Sequence, residues 1–255
     1  MMPYRISVAV AALAMLGPAG AGETAGESTL VLITTQARVE VNAEGKVTAV
    51  QPDAKLTPAV AQAIQATVGA WRFVPPVHDG QSVGGVTYVQ IGACAVDVDG
   101  GLRMAFDYQG NGPRRQGPPT PRPPSSMRQI RPGETARMKL TYRVGADGVG
   151  EVESVDRISG KADISKAFGS SLRDWIGAST FEPELVAGKP VATRMSLPFE
   201  FTVLKLDRAR ARMGPKAVEQ ALAAERPTCQ TALGNAGKQD RAVALDSPFT
   251  LLPSG

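Results

Sequence analysis

The chain has 255 residues, 43% of them hydrophobic and 20% charged, with a formal net charge of +4. That composition supplies a core and excludes a chain too polar and too charged to fold. So small a charge gives no ground for nucleic-acid binding, and one histidine with two cysteines leaves little for metal or nucleophilic chemistry.

Arg5 precedes the apolar run "ISVAVAALAML", followed by "GPAGAGE". A basic start, a short apolar run and the small-residue site Ala19-Gly20-Ala21 predict a secretory signal peptide over residues 1–21, cut after Ala21. The run falls short of the about 20 apolar residues that a membrane span needs; an uncleaved anchor is the alternative. No cysteine follows it to carry a lipid, and no later stretch reaches transmembrane length. The expected location is therefore the periplasm. In that oxidising compartment Cys94 and Cys229 are a candidate disulfide, with two unpaired thiols as the alternative.

Residues 29–109 read as a first structural unit. "ARVEVNAEGKVTAV" alternates Val39 and Val41, turns at Glu44-Gly45, and resumes at Val47 and Val50, a β-hairpin pattern. Thr57 and Pro58 suit an N-cap and a first helical residue. Val60, Ile64, Val68 and Trp71 then form the buried stripe of an amphipathic helix. Phe73-x-Pro75 stops the helix, Gly80 permits a turn and Val83 opens a strand. "ACAVDVDGGLRMAFDY" predicts an extra hairpin that ends near Tyr108.

Residues 110–131 are rich in proline and carry Arg114, Arg115, Arg122, Arg128 and Arg131. Such a stretch acts as a semi-rigid spacer. A solvated linker is expected, with a basic arm for an anionic envelope surface or an acidic partner as the alternative.

Residues 132–205 repeat the first script. "MKLTYRVGADGVGEVESV" alternates about an Asp147-Gly148 turn, Asp163 suits an N-cap, and Ile164, Phe168, Leu172 and Trp175 repeat the helical stripe at one constant offset from the first. The motif Phe-x-Pro-x4-Gly-x2-Val, from Phe73 to Val83, recurs from Phe181 to Val191. Residues 206–255 offer one short helix in "GPKAVEQALAAERP" and then an aperiodic tail that Cys229 could hold. The expected class is α+β: two tandem β-β-α-β units, each a helix packed on a small antiparallel sheet, with an extra β-hairpin after the first.

Trp71, Phe73, Trp175 and Phe181 are read as structural core, so that Trp71→Ala and Phe181→Ala each cost roughly 3–5 kcal/mol. His78, the one histidine, sits in the Pro76–Gly80 turn and is read as an exposed loop residue. "DVDGG" at 97–101 stops too soon for a calcium loop and is read as a hairpin turn. No P-loop or dinucleotide fingerprint is present. The expectation is no catalytic residue, no metal and no cofactor.

Taken together, the Gly-containing hairpin turn, the helix ending in Trp, "WRFVPP" and "FEPELVAGKPV" resemble the C-terminal domain of TonB-type energy transducers, over about residues 30–95 and 134–205. The resemblance implies a periplasmic domain whose sheet edge receives an extended peptide by strand addition, where main-chain bonds supply affinity. Its edge maps to the last strand of each unit, where that strand is an edge: Val83, Val86, Tyr88 and Gln90 in the first, Val191, Thr193, Met195 and Leu197 in the second. The implied partner is an envelope protein such as an outer-membrane receptor or transporter. Here the proline-rich segment lies between the copies, and the Tyr-Pro pair that opens the family domain is missing from both. Function is therefore expected to be non-catalytic periplasmic binding or scaffolding. An anchored transducer and a structural envelope protein with no free sheet edge are the alternatives, and membrane association is left open.

Overall fold

The structure is a computed structural model that describes residues 30–98, 101–117, 121, 135–160, 162–202, 217, 229 and 243–252. The expected signal peptide, most of the proline-rich spacer and all but Ala217 of the helix expected in residues 214–227 lie outside the described residues; Ala217 is helical. No described helix is long and apolar enough to cross a membrane.

The two hairpins and two helices are formed from the expected stretches. Strands β1 (Leu30–Val41) and β2 (Val47–Pro52) pair antiparallel, and helix α1 (Pro58–Gly69) follows. Asn42 shapes the turn by accepting the Glu44 and Lys46 amides on its Oδ1. Thr57 is the N-cap of α1, but its hydroxyl makes no capping bond; Pro58 begins the helix. In the second half, β9 (Thr135–Val144) pairs with β10 (Gly150–Ser159), and α2 (Ala162–Gly177) follows. Asp163 lies inside α2 rather than ahead of it.

The units themselves are not as expected. Of the described residues 58% are in strands and 17% in helices, so the described part is mostly β, with helices α1 and α2 laid on composite sheets. Strand β6 (Gly85–Val98) is the reason. One side of it pairs with β1 from Gly85 to Val96. Its other side is shared. β12 (Glu184–Val186), from the second half, takes Gly85 and Val86. β7 (Gly101–Gly112) takes Tyr88 to Val98. The closing strand of the expected first unit and the first strand of the expected extra hairpin are thus one strand. β7 also runs past Tyr108 to Gly112. The first sheet runs β13-β12-β6-β1-β2, where β13 is Lys189–Val191, with β7 alongside β6. The second runs β10-β9-β14-β15, with β14 at Thr193–Thr202 and β15 at Val243–Ala244. Among the described residues there are also three two-stranded pairs: β3 (Phe73–Val74) with β16 (Thr250–Leu251), β4 (Val77–His78) with β5 (Gln81–Ser82), and β8 (Arg114–Gln116) with β11 (Thr180–Glu182). Strands are exchanged between the halves, and tandem β-β-α-β units do not describe the architecture.

The repeated motif is nonetheless explained locally. After each Phe-x-Pro comes a two-residue hairpin whose central residues both have positive φ: Asp79 and Gly80 in β4–β5, Ala187 and Gly188 in β12–β13. Two successive positive φ values are the signature of the tight turn that matches strand twist. The first of these hairpins is exposed; the second adds to β6.

The described residues form three buried clusters. Ala37, Val39, Val41, Ile64, Val68, Phe73, Val89 and Ile91 pack under α1, joined by Phe249 from the C-terminal segment. Met138, Leu140, Phe168, Leu172, Trp175, Ile176, Phe181 and Phe199 form the core under α2. On the opposite face of β6, Cys94 and Val96 meet Cys229. β6 is buried on both faces, which accounts for its nearly unbroken apolar sequence. Phe73, Trp175 and Phe181 are buried. Trp71 is only half-buried, packed edge-on to Tyr108 at 5.5 Å between ring centroids.

The start of the proline-rich segment is part of the structure, contrary to a solvated linker. β8 pairs with β11. The Arg115 guanidinium lies 4.4 Å from the Trp175 ring centre, and that of Arg114 lies 5.1 Å from the Tyr88 ring.

Candidate functional site

The residues expected to form a docking edge are placed very differently in the two halves. Val86, Tyr88 and Gln90 lie in β6 and are bonded on both sides, facing Glu40, Arg38 and Gln36 of β1 on one and β12 or β7 on the other. Val83 precedes the strand and donates its amide to the Pro76 carbonyl. The first candidate edge is therefore the interior of a sheet. Its main-chain groups are used up because the hairpin that follows it returns along the side that strand addition needs.

In the second half, Val191 ends β13 opposite Glu184, while Thr193, Met195 and Leu197 lie in β14 and face β9 at Val144, Tyr142 and Leu140. β14 borders β9 on one side along its full length. On its outer side it meets β15 at Met195 and Ser196. The Leu245 amide donates to the Arg194 carbonyl, so the outward main-chain groups belong to the even-numbered residues Arg194, Ser196, Pro198 and onward. Thr193, Met195 and Leu197 have the opposite parity: their amides are turned toward β9. Pro198 stands at an outward position with no N–H to offer, which blunts the edge beyond Ser196.

The occupant of that edge is the C-terminal segment, residues 243–252. β15 sits on β14 and β16 on β3, and the Leu252 amide donates to the Arg72 carbonyl. Phe249, 1% exposed, enters the core under α1. Its ring tip fills space that a side chain on Gly85 would take: a Cβ there would lie 2.7 Å from the Phe249 ring and 2.0 Å from the Leu185 carbonyl oxygen.

Where segment, halves and hairpin meet, Glu184 is fully buried. Its Oε1 accepts from the Thr87 hydroxyl at 2.5 Å and the Ser247 hydroxyl at 2.8 Å, and its Oε2 accepts from the Thr193 hydroxyl at 2.8 Å. Asn111 Nδ2 lies 3.5 Å from the same carboxyl and bonds Ser247 Oγ at 2.9 Å and the Phe249 carbonyl at 3.1 Å. Burial pushes the Glu184 carboxyl above its ordinary value, and the bonds from Thr87, Thr193, Ser247 and Asn111 oppose that only in part.

A second polar cluster stitches β8 to β11. Arg114 bonds both Glu182 oxygens at 2.5 Å, and Gln116 also donates to Glu182. Burial alone would raise Glu182, but the bonds from Arg114, Tyr88 and Gln116 outweigh it and hold the carboxyl below its ordinary range. Burial, then the bond and charge of Glu182, raise the Tyr88 phenol.

Cys94 and Cys229 are joined by a disulfide, with Cα atoms 5.0 Å apart, which fixes the C-terminal stretch to β6. His78 is half-exposed, 3.6 Å from Asp79 Oδ2 in the β4–β5 hairpin. Among the described residues no group of three or more His, Cys, Asp or Glu side chains is placed to hold a metal ion. Sequence reasoning missed Glu184, Asn111, Ser247 and Phe249. The one available signal was a departure from the repeat, since Glu184 stands where the first copy has Pro76. No family model, no curated protein and no solved structure matches this chain.

Proposed function

We propose that this chain is a non-catalytic, exported binding or scaffold protein of the cell envelope, TonB-like in its binding mode, that takes an extended peptide on the outer edge of β14. What supports this reading is that the edge accepts an extended segment: β15 adds to it, with the Leu245 amide on the Arg194 carbonyl. Export rests on the N-terminal signature, and the Cys94–Cys229 disulfide suits an oxidising compartment. The partner is a protein of the envelope. A closed structural protein is the second reading, favoured by Pro198 on the outer edge and by strand partners on both sides of β6.

Capture from an envelope extract by residues 22–255, compared with the variant Ser196→Pro, separates them. The substitution removes one outward amide and leaves the β9 ladder intact. Binding at β14 predicts an envelope protein retained by the parent chain and lost with Ser196→Pro. Equal recovery by both chains refutes the edge, and no recovery by either favours the closed protein.

A further inference from the structure

Residues 243–252 touch both halves while being held by little. The two strands they contribute are two residues each. Leu245 and Leu252 are 50% and 43% exposed, and Thr250 and Asp246 are exposed too. Two anchors are internal: the Phe249 ring against Gly85, and the Ser247 hydroxyl on Glu184, shared with Asn111. The Ser247 hydroxyl also accepts the Phe249 amide at 3.1 Å, so it couples both anchors. Segments with few buried contacts and exposed main-chain bonds open locally, below the cost of global unfolding. The disulfide at Cys229 keeps such a segment tied to β6 after it leaves. A short tether corresponds to an effective concentration on the order of millimolar, which favours return unless a competitor is present.

We propose that residues 243–252 are a releasable strap, latched by the Glu184 carboxyl through Ser247, whose departure uncovers the β14 edge and the Phe249 slot for an extended peptide of the strap's own pattern, Ser-x-Phe following a short strand. This rests on the reading of β14 as a binding edge and supplies its regulation. The occupant is specified by what sits there: outward groups of Arg194 and Ser196 for main-chain bonding, a buried acceptor for a hydroxyl, and an aromatic-sized slot beside a glycine.

The latch is sensitive to pH in a definite direction. Because burial raises Glu184, the latched form holds its proton more tightly than a form whose carboxyl meets water. Raising the pH through that elevated value therefore favours release. The groups bonded to Glu184 are neutral hydroxyls and an amide. Tyr108 bonds Asn111, Asp246 accepts the Arg194 amide at the exposed rim, and Tyr88, Arg114 and Glu182 form their own cluster. Asp107 lies on the other face of β7, in line with Ala105 rather than Tyr108.

The test is amide hydrogen exchange on the full oxidised chain, with no partner present, so that its outcome is independent of whether a partner is ever found. Release predicts that the Leu245 and Leu252 amides exchange together, at least tenfold faster than those of Val89 and Ile91 in β6. Ser247→Ala should speed the strap amides at least a further tenfold and leave β6 unchanged. After correction for intrinsic exchange, strap opening should rise with pH in the parent chain and lose that rise in Glu184→Gln. A cross-strand tie, Met195→Cys with Ala244→Cys, should slow both strap amides to the level of β6. Strap amides as protected as β6, or unmoved by Ser247→Ala, overturn the strap. A pH response that persists in Glu184→Gln overturns the latch. Failure of capture by β14 alongside a strap that opens on cue would instead refute the binding reading.

Discussion

Gly45 and Gly80 share a backbone conformation and differ in what surrounds them, which makes them a matched pair. Their φ angles are +74° and +76°. A Cβ built on Gly80 meets nothing within 4 Å; one built on Gly45 lies 1.9 Å from the Phe73 carbonyl oxygen and 3.1 Å from its carbon. Gly80→Ala carries only the conformational cost of a left-handed residue, about 1 kcal/mol. Gly45→Ala carries the same cost and must also push β3 away. The Phe73 amide donates to the Gly45 carbonyl at 2.9 Å, and Lys46 bridges Arg72. Losing that bond adds about 1 kcal/mol, and loosening Phe73 from its core adds about 1–2 more. The expected penalties are therefore about 1 kcal/mol for Gly80→Ala and about 3–4 kcal/mol for Gly45→Ala. Urea unfolding with the disulfide intact measures both. Midpoint shifts that agree between the two variants would refute the claim that close approach, rather than backbone angle, requires glycine at this turn. Gly148 offers a replicate: φ is +78°, a Cβ would lie 2.4 Å from the Phe181 carbonyl oxygen, and the Phe181 amide donates to its carbonyl.

Phe181→Ala should destabilise by about 3–5 kcal/mol as a large truncation in a closed core, whereas Trp71→Ala should cost visibly less because that ring is half-buried; thermal melts that rank them in reverse would contradict the burial. Reducing the Cys94–Cys229 bond should lower stability by about 2–5 kcal/mol, read as a shift in the urea midpoint with and without reductant. The Glu184 and Glu182 carboxyls should respond to pH with opposite sign. Glu184, raised by burial, contributes stability that is present at low pH and lost as pH rises through its elevated value, so Glu184→Gln should flatten that loss. Glu182, lowered by Arg114, Tyr88 and Gln116 against its burial, contributes stability that is present above its ordinary value and lost as pH falls through the lowered one; Arg114→Ala should shrink that acid-side loss in stability curves taken across the acid range.

The sequence alone determined the local elements of this protein. Alternation about Gly45 and Gly148 wrote two hairpins, the Val60–Trp71 and Ile164–Trp175 stripes wrote two helices, and the Phe-x-Pro script wrote two tight turns. These depend on residues close in the chain, whose periodicity and turn chemistry act whatever the rest of the molecule does. Which strands lie side by side was decided only by the tertiary structure. β6 reads as the last strand of a closed unit, yet it takes β12 from the second half and β7 from what looked like a separate hairpin. Pairing of that kind is set by which distant main-chain groups remain unbonded and by which faces must be covered, and neither is written in a local pattern. The same holds for the candidate site. Ser247 and Phe249 lie in an aperiodic tail, and Glu184 looks like one more acidic residue in a turn; only when β6, β12, β14 and the tail converge does the carboxyl lose water and gain its hydroxyl partners.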